Sequence, residues 1–262
     1  MTGTWSDGGA YERFMGRWST LLARRLVEWL DPVTGATWVD VGSGTGALTD
    51  AVLAAAAPAH VVAVDPSPAF TAYATSRFDD DRVSVRTGDA QDLPLGPAGA
   101  DYVVAGLVLN FVADPQRAVA EMARVARAGG TVACTVWDYA EGMQMLRLFW
   151  DAAVALDPAA AALDEARFPV CRPDALAQVF TAAGLRGVQV GELTVPTVFA
   201  GVDDFWQPFL GGQGAVAGYV AGLGDEARDA LADEVRRRLT VADDGRVHLT
   251  AKAWAARGLS AG

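Results

Sequence analysis

Between residues 36 and 138 five short apolar runs recur, with helix-patterned segments among them. "ATWVDVG", "HVVAVD", "DRVSVRTGD", "ADYVVAGLVLNF" and "GTVACTVWD" have the length and β-branched content of buried strands. "GALTDAVLAAAA", "SPAFTAYATSRF" and "DPQRAVAEMARVARAGG" between them carry apolar residues at three- and four-residue spacing, which predicts helices. Such alternation is compatible with very few architectures. It predicts an α/β fold, doubly wound and Rossmann-like, with a mostly parallel sheet. Two later candidates, "RGVQVGELTVPTV" and "RVHLTAKAWAAR", bring the sheet to seven strands.

The remaining segments fit around that core as parts of a single domain over residues 1–262. Residues 1–35 contain the helical pattern "TLLARRLVEWL" and read as an N-terminal helical cover, with 36–138 as the core. Residues 139–171 and 199–245 follow strands five and six. Loops after parallel strands gather at the carboxyl edge of the sheet, so both are expected to rise over a ligand crevice as acceptor-side insertions.

Charge and composition exclude several classes of partner. A net charge of -11 leaves too few cations to coat phosphates, which argues against nucleic acid. No charge-free run is long enough to span a bilayer, and the first residues lack a secretory pattern, so a cytoplasmic protein off the membrane is expected. Cys134, Cys171, His60 and His248 show no zinc-ligand spacing, and no metal is expected.

The chemistry concentrates in "VDVGSGTGALTD", residues 39–50. Gly42, Gly44 and Ala47 fit the dinucleotide spacing, while Gly42, Gly44 and Gly46 fit a second glycine template, so the glycines alone do not name a ligand. Asp40 places an anion beside the turn, where a pyrophosphate is poorly served and an ammonium or sulfonium is favoured. An alternative role for Asp40 is to orient the glycine loop through hydrogen bonds. Asp65 ends the second strand, where a carboxylate can accept from a ribose diol. Asp89, in "GDAQDLP", can accept from an adenine amino group, with the backbone of Ala90 or Gln91 meeting the ring nitrogens; it can equally be a turn former.

Taken in order, "WVDVGSGTG", "VVAVDPS", "TGDAQDLPL" and "DYVVAGLVLNFVADPQRAVAEMARVARAGGTV" resemble the class I S-adenosylmethionine-dependent methyltransferases, in their small-molecule branch. The resemblance covers residues 36–138, with weaker likeness at "YERFMGRWS" and "AKAWAARG". It implies S-adenosylmethionine as cofactor, S-adenosylhomocysteine as product, and a binding set of Asp40, Gly42, Ser43, Gly44, Gly46, Asp65, Pro66, Asp89, Ala90, Gln91 and Leu107. Ser43 replaces the cysteine of many members. Asn110 replaces a histidine, which removes the support for a histidine base there.

Methyl transfer needs mainly alignment and exclusion of water, because the methyl group arrives activated. No base stands out: Asn110, Asp138, Tyr139 and His248 are candidates, and the catalytic role stays unassigned. The acceptor is expected to be a small molecule. Phe149, Trp150, Phe168, Phe205, Trp206, Phe209 and Tyr219 either line its pocket or pack the insertions on the sheet, and Tyr11, Met15 and Trp18 either fold over the cofactor or pack the sheet edge. Two other readings stay open: a nicotinamide-dependent oxidoreductase, and an adenosyl-cofactor-binding protein or cyclase that transfers no methyl group.

Overall fold

The computed structural model describes residues 15–211 and 214–262. Seven strands form one sheet in the order β3-β2-β1-β4-β5-β7-β6. They are β1 (Thr37–Val41), β2 (His60–Asp65), β3 (Val83–Thr87), β4 (Ala100–Gly106), β5 (Ala126–Trp137), β6 (Arg186–Phe199) and β7 (Val247–Leu259). The first five are parallel, and β7 runs antiparallel between β5 and β6. The order reverses at β1 and β4. Their carboxyl ends open a crevice there, the place where sheets of this kind hold ligands.

The helices form where local chemistry starts them. In α3 (Pro68–Arg77) the Ser67 hydroxyl accepts from the Phe70 N–H, and in α4 (Pro115–Val125) the Asp114 carboxylate accepts from the Arg117 N–H. Each has proline in its first turn, where a missing N–H removes no helical bond. The helix α1 (Arg17–Leu30) packs against α2 (Ala47–Ala55) and β6, while α4 and α6 (Pro173–Ala182) pack together and against the sheet. Among the described residues no helix is long and apolar enough to cross a membrane.

One expectation changes in the structure. The helical pattern in "DPQRAVAEMARVARAGG" continues to Gly130, but α4 stops at Val125 and the chain enters β5 at Ala126. A shift in the pairing of β4 with β5 between Ala100 and Tyr102 accommodates the early residues of β5. Gly130 is needed there, because a Cβ would lie 2.9 Å from the Ala100 carbonyl oxygen.

The insertion aromatics pack on one another. Phe149, on α5 (Gln144–Leu156), meets Trp150 at 5.2 Å between ring centres, Phe209 at 4.8 Å and Tyr219 at 6.3 Å. Phe205 continues the cluster from Phe209 to Phe199 at the end of β6. Phe149, Trp150, Phe205 and Phe209 are fully buried, so they form the core that fixes the insertions. Replacing Phe149 with alanine is expected to lower the unfolding free energy by about 3–5 kcal/mol, the usual cost of deleting a buried phenylalanine ring. Urea denaturation of Phe149→Ala checks this.

Candidate active site

The glycine turn between β1 and α2 is built largely from hydrogen bonds that consume its own donors. The N–H groups of Gly42 and Ser43 both donate to the Val64 carbonyl, at 2.7 and 3.0 Å. The Gly44 N–H donates to Asp65 Oδ2 at 2.9 Å, and the Gly46 N–H donates to the Ser43 carbonyl at 2.8 Å. Gly42, Gly44 and Gly46 all have positive φ, which a side chain disfavours. At Gly42 a Cβ would also overlap Val108, 2.4 Å away, whereas Gly44 has open space on its Cβ side. Arg77 closes the turn from outside, donating to the Thr45 carbonyl and pairing with Asp50.

Asp65 holds two loops at once. Besides Gly44, it accepts from the Ser67 N–H through Oδ1 at 2.8 Å. Burial raises its pKa, and the two N–H donors oppose that rise. Asp40 is only 1% exposed on β1. Its Oδ2 accepts from the Thr49 hydroxyl of α2 at 2.8 Å, while its buried Oδ1 has no protein partner. Desolvation is the main cause that pushes its pKa up to about 7, against the Thr49 hydrogen bond. A buried acceptor without a donor is costly, and a cationic or N–H-bearing ligand would satisfy it.

These groups border one cavity of about 760 Å³. Asp40, Gly42, Ser43, Gly44, Asp65, Pro66 and Leu107 of the expected set line it. Leu107 has φ 62, a left-handed conformation that costs a residue with a side chain of order 1–3 kcal/mol, and its N–H donates to the Thr135 carbonyl. The structure does not bring Gly46, Asp89, Ala90 or Gln91 to the lining. Gly46 instead stands at the start of α2, and Asp89 accepts from the Gln91 N–H in a turn after β3.

The candidate bases lie elsewhere too. Asp138 is buried in an ion pair with Lys252 at 3.0 Å, and His248 pairs with Asp244 on the exposed side of β7. Asn110 is 8% exposed with Nδ2 unpaired, and neither it nor Tyr139 lines the cavity.

Sequence reasoning missed the part of the cavity wall that α1 supplies. Ser19, Leu22, Ala23 and Leu26 of α1 line the cavity at the spacing of one helical face, a signal present in "TLLARRLVEWL". Of the residues expected to fold over the cofactor, Trp18 packs on Phe199 at 5.4 Å, which is the sheet-edge alternative, Met15 is buried in the core, and Tyr11 lies outside the described residues.

Residues 39–134 match the methyltransferase domain family. The chain is 33% identical over 97 residues to the malonyl-acyl-carrier-protein O-methyltransferase of Hahella chejuensis, covering 37% of this chain and 35% of that protein. It is 34% identical over 113 residues to 2-methyl-6-phytyl-1,4-hydroquinone methyltransferase 2 of Oryza sativa, covering 43% of this chain and 32% of that protein. The chain thus spans about a third of the length of these curated relatives. Phosphoethanolamine N-methyltransferase 2 of Haemonchus contortus, solved with S-adenosyl-L-methionine, has a TM-score of 0.60 at 17% identity, covering 96% of this chain and 56% of that one. This chain has the class I S-adenosylmethionine-dependent methyltransferase fold, and the match to the methyltransferase domain family lies in residues 39–134 of it.

Asp65→Asn leaves one carbonyl oxygen where two oxygens now accept, so either Gly44 or Ser67 faces an amide NH2. The unsatisfied donor is expected to cost about 1–3 kcal/mol of stability. Thermal unfolding would register the loss, and titration with S-adenosylhomocysteine should show at least a tenfold weaker complex.

Proposed function

We propose that this chain transfers a methyl group from S-adenosylmethionine to a small-molecule acceptor. One observation carries the reading: among the described residues, the charged side chains lining the cavity are Asp40 and Asp65, while the N–H groups of Gly42, Ser43 and Gly44 are already committed to Val64 and Asp65. Pyrophosphate sites in nucleotide-binding folds use free N–H groups at such a turn. A cation meets two carboxylates here instead, and that contrast favours the transferase over the nicotinamide enzyme.

The residues fit the cofactor. Asp40 Oδ1 is an acceptor awaiting a donor, Gly44 offers bare backbone, and Asp65 has remaining acceptor capacity for a ribose hydroxyl. The loop carrying Asp89, Ala90 and Gln91 follows β3, whose Thr87 pairs with Asp65, so it stands at the same sheet edge and is assigned to the adenine end. When bound, the cofactor supplies an activated methyl group on a positively charged sulfur. Leu48, Leu107 and Val108 exclude water from the space around it, and the strained Leu107 backbone is held by Thr135. Positioning and desolvation are then the contributions of this chain. Cys134 and Cys171 are both free and buried, which suits a reducing, cytoplasmic setting.

Isothermal calorimetry with S-adenosylmethionine and S-adenosylhomocysteine tests the proposal, and a folded protein that binds neither would refute it. Transfer of labelled methyl to an acceptor panel then separates a transferase from a protein that merely keeps the cofactor.

Proton linkage gives a sharper expectation. Below about 7 Asp40 is mainly the neutral acid, and a bound cation favours its anion, so binding expels a proton. Affinity is therefore expected to climb as pH rises toward 7 and to level off above it. Asp40→Asn should abolish this part of the pH dependence, read as the difference in proton release between the two proteins in buffers of different ionisation enthalpy.

A further inference from the structure

We infer that the acceptor is an uncharged molecule with a largely apolar surface, bearing a hydroxyl acidic enough to lose its proton without a protein base, as a phenol or hydroquinone does. This rests on the transferase reading above. It follows from three properties of the cavity wall.

The first is the face that α1 presents. Leu22, Ala23 and Leu26 stand on one side of the helix, and Phe111, after β4, adds an aromatic ring that is 45% exposed although it borders the cavity. A large apolar ring left open beside a cavity marks a surface that an apolar ligand covers. The carboxylates and the glycine turn belong to the ends of β1 and β2, so the wall from α1 is available to a second molecule.

Charge is the second property. No Lys, Arg or His occurs among the described residues that line the cavity, and both of its charged side chains are acidic. A carboxylate or phosphate acceptor would enter without a counter-ion and be repelled by Asp40 and Asp65. Arg17, on the same helix, is engaged elsewhere, with Asp204 and the rings of Trp18 and Phe199.

The third is that, among the described residues, the lining holds no candidate base beyond the two carboxylates assigned to the cofactor. Asp40 and Asp65 are, in the reading above, the partners of the cofactor, Asp138 is paired with Lys252, and His248 is hydrogen-bonded to Asp244, the last two outside the cavity. An aliphatic alcohol, whose proton is hard to remove, therefore has no partner to activate it. A phenolic hydroxyl needs none. In that transfer an O–C bond forms at the acceptor, a C–S bond breaks with its electron pair left on sulfur, and the hydroxyl proton passes to water.

Equilibrium dialysis of the full chain against 2-naphthol and 2-naphthoic acid near neutral pH, with and without S-adenosylhomocysteine, tests the inference. We expect 2-naphthol to bind at least tenfold more tightly than the carboxylate. Leu26→Asp should weaken 2-naphthol at least tenfold and leave S-adenosylhomocysteine within about threefold of wild type; Ala23→Leu, which only fills space, should do the same if the acidic variant does not fold. Equal or tighter binding of the carboxylate, no binding of 2-naphthol, or loss of both ligands together in the folded variants would overturn it. Failure of S-adenosylhomocysteine to bind the wild type would instead strike the transferase reading, and the comparison of the two naphthalenes in its absence still reports the preference of the cavity.

Discussion

The geometry of the crevice depends on one carboxylate shared between two loops. Asp65 accepts from Gly44 on one side and from Ser67 on the other, so the turn after β1 and the start of α3 are fixed by the same side chain at the end of β2. The Val64 carbonyl, one residue earlier, accepts from Gly42 and Ser43. The turn is thereby pinned to β2, and its N–H groups are drawn away from the ligand space. A glycine-rich turn in this fold can thus serve either an anion or a cation, depending on where its donors are directed.

Asp40 adds the complementary half of that logic. It is buried and joined to α2 through Thr49, and its remaining oxygen has no donor from the protein. Without a ligand such a group relieves its desolvation by holding a proton, which is why its pKa stands near neutrality. The structural and binding roles of Asp40, open alternatives in the sequence, are compatible because each uses a different oxygen.

The sheet was largely legible because buried parallel strands announce themselves as short apolar runs, and the acidic residues at the ends of β1 and β2 were legible because those ends face the crevice. Less visible was the wall that α1 supplies. Helical periodicity in α1 shows that Leu22 and Leu26 face inward, yet it cannot distinguish a face packed on protein from one covering a cavity. The same limit applied to the insertion aromatics: Phe149 and Phe209 could line a pocket or fill a core, and their mutual packing decides for the core. At the junction of α4 and β5, apolar spacing continued past Val125, but strand pairing with Ala100 outweighed it. Thr49, nine residues beyond Asp40, was invisible as its partner because the intervening turn brings them together only in three dimensions.

The antiparallel β7 has a consequence for how such a chain is made. It joins β5 through Thr131–Trp137 and β6 through much of its length, so neither neighbour has a complete ladder until residues 247–259 have left the ribosome. During synthesis β5 and β6 therefore wait with open edges, and bare edges are templates for pairing with other chains. Slow arrival of β7 would expose the nascent protein to aggregation well before any ligand could steady it.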